Sequence, residues 1–277
     1  MTAGDRLDRF CYHRFMSGGD ATRPRPSDGH DRQAETRLVE QLRGEALAVV
    51  GRIEADKQCF AAMSDLPARR VHTLFAGIYL RTTQRWMGFL ATRGDPEFAY
   101  LTIIRFYEIY RAAMHTPPQE PVAGPWRRYH GLAGRLTMTG PISAHLLLVS
   151  SGVRAHTRYD LGVAIARATH DYARLYGRAP DIERYRETIV GRQTGYAFQC
   201  AGLDFIDDHR RQQTGWRHFV LAGFRAGLRG LSWLWMPIFQ HWRRAAWADA
   251  RRAVLPPGSE KAGIRAFRLI RPVQKVP

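Results

Sequence analysis

The sequence predicts an all-α fold, a single bundle-like domain of about eight helices. Apolar residues recur at three- and four-residue spacings through most of the chain, which is the period of an amphipathic helix. No segment of useful length alternates apolar and polar residues as a strand would. With 277 residues, 45% of them hydrophobic, the chain can bury a sizeable core without disulfide or metal staples.

Composition divides the chain into three parts. Residues 1–30 are polar and punctuated by glycine and proline, which predicts a loose N-terminal arm. Helical periodicity then runs from residue 31 to residue 254, with Leu38, Leu42 and Ile53 on one face of the first helix. We therefore expect a helical domain over 31–254 and a C-terminal extension over 255–277.

Two helix starts are marked by an aspartate close before a proline. Asp65 precedes Pro67 by two residues, and Asp95 directly precedes Pro96. Aspartate can cap the free N–H groups of a first turn, and proline fits that turn because it lacks an N–H group. The sequence therefore predicts that the second and third helices begin here, the third running to about Met114.

A loop rich in proline and glycine, over residues 115–135, separates these helices from the rest. The remaining predicted helices span 142–151, 161–176, 182–200, 217–236 and 238–254. The last two are separated at Pro237, because proline interrupts helical hydrogen bonding.

The cysteines and the N-terminal residues indicate the cellular compartment in which the protein is expected. The three cysteines, Cys11, Cys59 and Cys200, are far apart and show no zinc or redox spacing, so no disulfide framework is expected. The first twenty residues carry charges without an apolar stretch behind them, unlike a secretory signal peptide. We expect a cytoplasmic protein and leave peripheral attachment to a membrane open.

The net charge of +17 comes from 42 Lys+Arg against 25 Asp+Glu. Such an excess suits nucleic acid, anionic lipid or an anionic substrate, and it also arises from arginine-rich composition alone. Nucleic acid is disfavoured because no RRM, KH, helix-turn-helix or zinc-finger pattern is present. Glycine-rich phosphate loops, G-x-S-x-G and H-E-x-x-H are absent too, which disfavours the common cofactor-binding enzymes.

The most apolar window covers residues 219–239. Arg225 and Arg229 lie inside it, and a central arginine costs about 2.5 kcal/mol or more on insertion scales, so a membrane-spanning helix is not expected. From Trp216 to Trp247, a stretch that includes this window, aromatic residues and arginines are interleaved, which suits a membrane interface, a phosphate-bearing ligand or an ordinary core helix. The aromatics are Trp216, Phe219, Phe224, Trp233, Trp235, Phe239, Trp242 and Trp247, and the arginines are Arg217, Arg225, Arg229, Arg243 and Arg244.

His156 and Asp160 form the clearest candidate site. On one helix, residues four apart share a face, with about 6 Å between their Cβ atoms. A carboxylate that holds one imidazole nitrogen leaves the other nitrogen free as a base or a metal ligand. In the alternative, the pair is structural: Asp160 caps the helix that begins at Leu161, and His156 bonds to Asp160 or to a backbone carbonyl.

His145 and an acidic cluster are considered as further functional residues, with weaker support than His156 and Asp160. His145 lies eleven residues before His156, about 16 Å along a continuous helix, so it is expected to be a core histidine. A cluster of Asp204, Asp207 and Asp208 beside a histidine could hold Mg²⁺ through oxygen ligands. Because arginines follow it directly, we expect a solvated helix end instead.

Four separated stretches resemble the motifs of one protein family. Residues 151–161, SGVRAHTRYDL, are similar to the family's G-x-N-A-H-I-x-x-D-L motif, and residues 243–250, RRAAWADA, to its A-R-x-x-A-W-x-x-A motif. Residues 71–83 and 106–113 resemble two further helical motifs. Over about residues 61–254 the chain thus resembles the domain of unknown function 5995 (DUF5995). The chain departs from it at Arg154, where the family has asparagine, and at Thr102, where an acidic residue is usual.

The resemblance implies no activity, since the family has none to carry over. It does add candidate binding residues, because Tyr79, Tyr110, Arg244 and Trp247 fall in the matched motifs. The leading hypothesis is a small-molecule enzyme with a polar or metal-assisted site at His156 and Asp160. A divalent metal on these two residues is left open. The alternative is a non-catalytic protein that binds anionic lipid or a protein partner through its Arg/Trp-rich C-terminal helices.

Overall fold

The computed structural model describes residues 29–63, 67–115, 124–211 and 213–254. These residues form α-helices, one π-helical turn and no strand, which confirms the all-α prediction. The helices are α1 (Gly29–Ala62), α2 (Pro67–Arg70), α3 (His72–Leu90), α4 (Glu97–Met114), α5 (Gly124–Ala133), α6 (Ile142–Ala155), α7 (Leu161–Tyr176), α8 (Arg186–Val190), α9 (Arg192–Arg211), α10 (Trp216–Gly230) and α11 (Ser232–Val254), with the π turn at His156–Asp160.

The predicted number of about eight helices holds for the described residues. Nine helices have ten or more residues. Two of these, α6 and α7, join through the π turn into one uninterrupted helical run from Ile142 to Tyr176. The helix expected over 142–151 and that over 161–176 are therefore parts of a single rod.

The chain divides into two compact units, Met1–Gln41 and Leu42–Pro277. In the first unit the structure describes the beginning of α1, and residues 1–28 of the expected arm lie outside the described residues. The expected extension over 255–277 also lies outside them. In the second unit α1 buries one face, as its periodicity predicts. That face consists of Leu42, Ala46, Val49, Ile53 and Phe60.

Helix packing in the second unit brings the matched motifs together. Helix α4 packs on α7, α3 on α9, and α11 on both α7 and the π turn. The contact between α7 and α11 is especially close at Gly162, where an added Cβ would lie 2.9 Å from the backbone oxygen of Ala246. Glycine is needed there because any side chain would push the two helices apart.

The helix predicted over 182–200 is broken, and this prediction was wrong. Helix α8 ends at Val190, and Gly191 is extended (φ −66°, ψ 170°) before α9 begins. The buried Arg243 of α11 donates hydrogen bonds to the carbonyls of Ile189 and Gly191. A tertiary contact thus satisfies the Ile189 carbonyl, which a continuous helix would have bonded internally.

The prediction that a helix break occurs at Pro237 was also wrong. Helix α10 ends at Gly230, and Pro237 lies inside α11. The Trp235 indole donates to the Leu228 carbonyl at 2.9 Å and so satisfies a terminal carbonyl of α10. Among the described residues, no helix is both long and apolar enough to cross a membrane.

Asp95 does not cap α4, although the helix begins where expected. Pro96 occupies the N-cap position and makes no side-chain capping bond. The Asp95 carboxylate instead forms an ion pair with Arg184, with 2.6 Å between Oδ1 and Nη2. Asp65 lies outside the described residues.

Candidate functional site

The π turn brings His156 and Asp160 together. Nδ1 of His156 lies 3.0 Å from Oδ2 of Asp160, and both residues are buried. The Leu161 N–H bonds back to the His156 carbonyl, five residues earlier, which widens the helix at this turn. Such π turns inside α-helices occur often at functional sites.

Asp160 has a second partner, from a distant part of the chain. The Trp126 indole N–H of α5 donates to Oδ2 of Asp160 at 2.9 Å. Asp160 precedes α7 but makes no side-chain capping bond. The capping alternative for Asp160 is therefore wrong, and its carboxylate holds the imidazole and the indole together.

Aromatic rings enclose the His156 imidazole. The Phe106 ring stacks on it with 3.5 Å between centroids and 7° between planes, and the Tyr79 ring meets it edge to face at 4.6 Å. The Tyr110 ring lies 6.1 Å from the imidazole and 4.6 Å from the Tyr79 ring. We call this group the ring cage; it consists of Phe75, Tyr79, Phe106, Tyr110, Trp126 and His156.

Three polar atoms of the ring cage are buried without a hydrogen-bond partner among the described residues. They are Nε2 of His156 and the hydroxyl oxygens of Tyr79 and Tyr110. Leaving a buried polar group unpaired costs about 1–3 kcal/mol, and native proteins keep few such groups. Three of them in mutually contacting rings set this region apart from an ordinary apolar core.

Burial decides the protonation of the cage. It lowers the pKa of His156, with the Asp160 carboxylate opposing the shift, and it raises the pKa of Asp160, with His156 opposing. Burial also raises the pKa of Tyr79 and Tyr110, so both phenols are neutral hydrogen-bond donors. When the Nδ1–H donates to Asp160, Nε2 of the neutral imidazole carries a free lone pair.

The cage is a poor metal centre. Only Nε2 of His156 is an unoccupied imidazole donor there, and neutral phenols are weak ligands. In the parts of the chain that the structure describes, no group of three or more His, Cys, Asp or Glu residues could hold a metal ion. Cys59 is a free, exposed thiol.

The acidic cluster of α9 is engaged in ion pairs with neighbouring helices. Asp204 pairs with Arg85 of α3 at 2.8 Å, and Asp207 with Arg225 of α10 at 2.6 Å. Asp208 likewise pairs with an arginine of α3 at 2.5 Å. These carboxylates link three helices, so the expected solvated helix end is an interhelical contact.

Of the four other predicted site residues, the structure brings two to His156. Tyr79 and Tyr110 belong to the ring cage, whereas Arg244 is exposed on α11. Trp247 is buried but is not one of the rings around His156, and its indole N–H has no hydrogen-bond partner among the described residues. His145 is a core histidine, as expected, with Nε2 2.8 Å from the Thr137 carbonyl oxygen.

Sequence reasoning missed the roles of Trp126 and Phe106. Nothing in the sequence spacing links Trp126 to a carboxylate 34 positions away, so its bond to Asp160 was not predicted. Phe106 lies in a matched motif, but its stacking on His156 follows from the packing of α4 against the π turn.

Residues 58–270 match the profile of a family of unknown function, DUF5995. The match covers well over half of the chain, so the protein belongs to this family, as its motifs indicated. No curated protein and no solved structure matches the chain. At the two positions that depart from the family pattern, Thr102 is buried and donates to the Phe98 carbonyl, and Arg154 is exposed.

Proposed function

We propose that the protein is an enzyme that acts on a small uncharged molecule, with His156 as its general base. The observation that carries this proposal is the free, buried Nε2 of an imidazole whose Nδ1 lies 3.0 Å from Asp160. A carboxylate behind an imidazole fixes its tautomer and stabilises the imidazolium that forms when Nε2 takes a proton. Asp160 is accordingly a positioning residue.

The ring cage suggests how a substrate is held. A substrate O–H group would donate to Nε2 of His156, and its oxygen would accept hydrogen bonds from the phenols of Tyr79 and Tyr110. During reaction the proton passes from the substrate oxygen to Nε2, leaving an alkoxide that the two phenols stabilise. An uncharged substrate fits best, because stripping water from a charged one inside aromatic walls is costly.

The cage is closed in this structure, with His156 only 4% exposed. Catalysis therefore requires a local opening that admits a small molecule. The π turn is the natural place for it, since a widened turn is less tightly bonded than the α-helix on either side.

Diethyl pyrocarbonate tests both the free nitrogen and its accessibility, because this small uncharged reagent acylates neutral imidazoles. His145 is the internal control: it is also 4% exposed, but its Nε2 is bonded to a carbonyl. We expect mass spectrometry of the folded protein to show His156 modified at least tenfold faster than His145. If His156 reacted no faster than His145, the proposal would be overturned, because Nε2 of His156 would then be either closed to a small molecule or bonded in solution.

A further inference from the structure

In the described part of the chain, exposed apolar surface is concentrated on α10 and the first half of α11. Of eleven large hydrophobic side chains that are exposed there, six lie on these two helices and a seventh, Leu231, lies between them. Phe219 is 75% exposed and Trp233 is 70% exposed. We call these residues the apolar face: Trp216, Phe219, Val220, Leu231, Trp233, Leu234 and Ile238.

Helix α10 is apolar on both sides, and only one side is covered. Its inner side, with Leu221 and Phe224, packs against Ile142 and Ile206. Its outer side carries part of the apolar face, followed along the same stripe by exposed Gly223. An exposed apolar stripe of this extent, on a helix that already packs through its inner side, calls for an additional partner.

The chain around this face contains no acidic residue. From residue 209 to residue 248, forty residues include seven arginines and no Asp or Glu. Several of the arginines are already engaged, Arg225 with Asp207 and Arg243 with backbone carbonyls. Arg229 and Arg244 are exposed and form no ion pair with any described residue. An apolar face bordered by unopposed cations is complementary to an anionic surface.

Three kinds of partner could cover such a face, and the charge and side-chain types of the face distinguish among them. A second copy would place arginines opposite arginines across a two-fold axis, which is repulsive. A nucleic acid would be bound through phosphates and base stacking, which leaves the aliphatic Leu231, Leu234 and Ile238 without a role. An anionic bilayer accepts all of these features, because aromatic and aliphatic side chains enter the interface while arginines reach the headgroups.

We propose that the apolar face docks the protein on an anionic lipid bilayer, with α10 and the first half of α11 lying in the plane of the interface. None of the described helices crosses the bilayer. Phe219 and Trp233 enter the boundary between headgroups and acyl chains, and Arg229 and Arg244 bind lipid phosphates or carboxylates. This docking does not depend on the proposed chemistry of His156.

Vesicle sedimentation of the full chain tests the proposal. We compare vesicles of phosphatidylcholine alone with vesicles that contain one quarter phosphatidylserine. We expect the protein to bind the anionic vesicles at least tenfold more tightly, with a blue shift of tryptophan fluorescence as Trp216 and Trp233 leave water. The double variant Phe219→Glu/Trp233→Glu should lose at least tenfold in affinity.

A matched control variant introduces the same two negative charges at positions outside the apolar face. Leu47 and Leu175 are exposed apolar residues at 49% and 41% on other helices, so Leu47→Glu/Leu175→Glu alters net charge equally and should retain wild-type binding. Equal losses in the two double variants would show adsorption through overall charge and overturn the proposal. A concentration-dependent dimer that Phe219→Glu abolishes, without vesicle binding by the wild type, would assign the face to a second copy instead.

Discussion

Two tyrosines of the core allow a direct test of the unpaired hydroxyls in the ring cage. Tyr110 and Tyr129 are both completely buried, so Tyr→Phe removes the same atom from a comparable environment. The Tyr129 hydroxyl lies 2.8 Å from Nδ1 of His72, whereas the Tyr110 hydroxyl has no partner among the described residues. The two substitutions should therefore change stability in opposite directions.

The expected magnitudes follow from hydrogen-bond energetics. Tyr129→Phe loses a bond and leaves a buried imidazole nitrogen unpaired, which should lower the free energy of unfolding by about 1–2 kcal/mol. Tyr110→Phe removes an unpaired buried hydroxyl and should raise it by about 1 kcal/mol. For a domain of this size, each 1 kcal/mol corresponds to about 2–4 °C in Tm.

Urea denaturation followed by far-UV circular dichroism measures both variants. A stabilised Tyr110→Phe protein would agree with a site that keeps polar groups ready for a ligand at the expense of stability. If Tyr110→Phe lowered stability as much as Tyr129→Phe, the Tyr110 hydroxyl would have a permanent partner in solution. The ring cage would then be a satisfied core and not a substrate site.

Two further predictions concern packing and pH. Gly162→Ala should lower the free energy of unfolding by about 1–3 kcal/mol, because the new methyl group meets a backbone oxygen of the crossing helix at 2.9 Å. Gly88→Ala, at an exposed α3 position with open space around it, should instead raise it by about 1 kcal/mol through helix propensity, so destabilisation of both would contradict the packing argument. Burial, followed by the nearby charge of His130, lowers the pKa of His72 from 6.5 to about 3. The unfolded chain therefore binds a proton on His72 more readily than the folded protein does, so the stability that depends on neutral His72 is fully present above about pH 6.5 and is lost towards pH 3. The urea midpoint of the wild type should drop across this pH range. The drop should be less steep in His72→Gln, which lacks the titrating group.

Local signals in the sequence determined much of the fold. The face of α1 that becomes buried follows the helical period, and α4 begins beside its predicted Asp95–Pro96 signal. The partnership of His156 and Asp160 was also accessible, because residues four apart meet on any helix. All of these depend on neighbours within a turn or two, which is the range over which sequence spacing translates into geometry.

Tertiary structure alone decided the rest. The break at Gly191 depends on Arg243, more than fifty positions away, and continuity through Pro237 accompanies a bond from Trp235 to the end of the preceding helix. The choice between a capping and a pairing role for Asp160 was made by Trp126, brought there by the packing of α5 on α6. Similarly, helical periodicity identified the aromatics of α10 and α11, but packing determined which of them lost contact with water. Long-range contacts of this kind reflect the free energy of the whole packed core, and no local spacing encodes them.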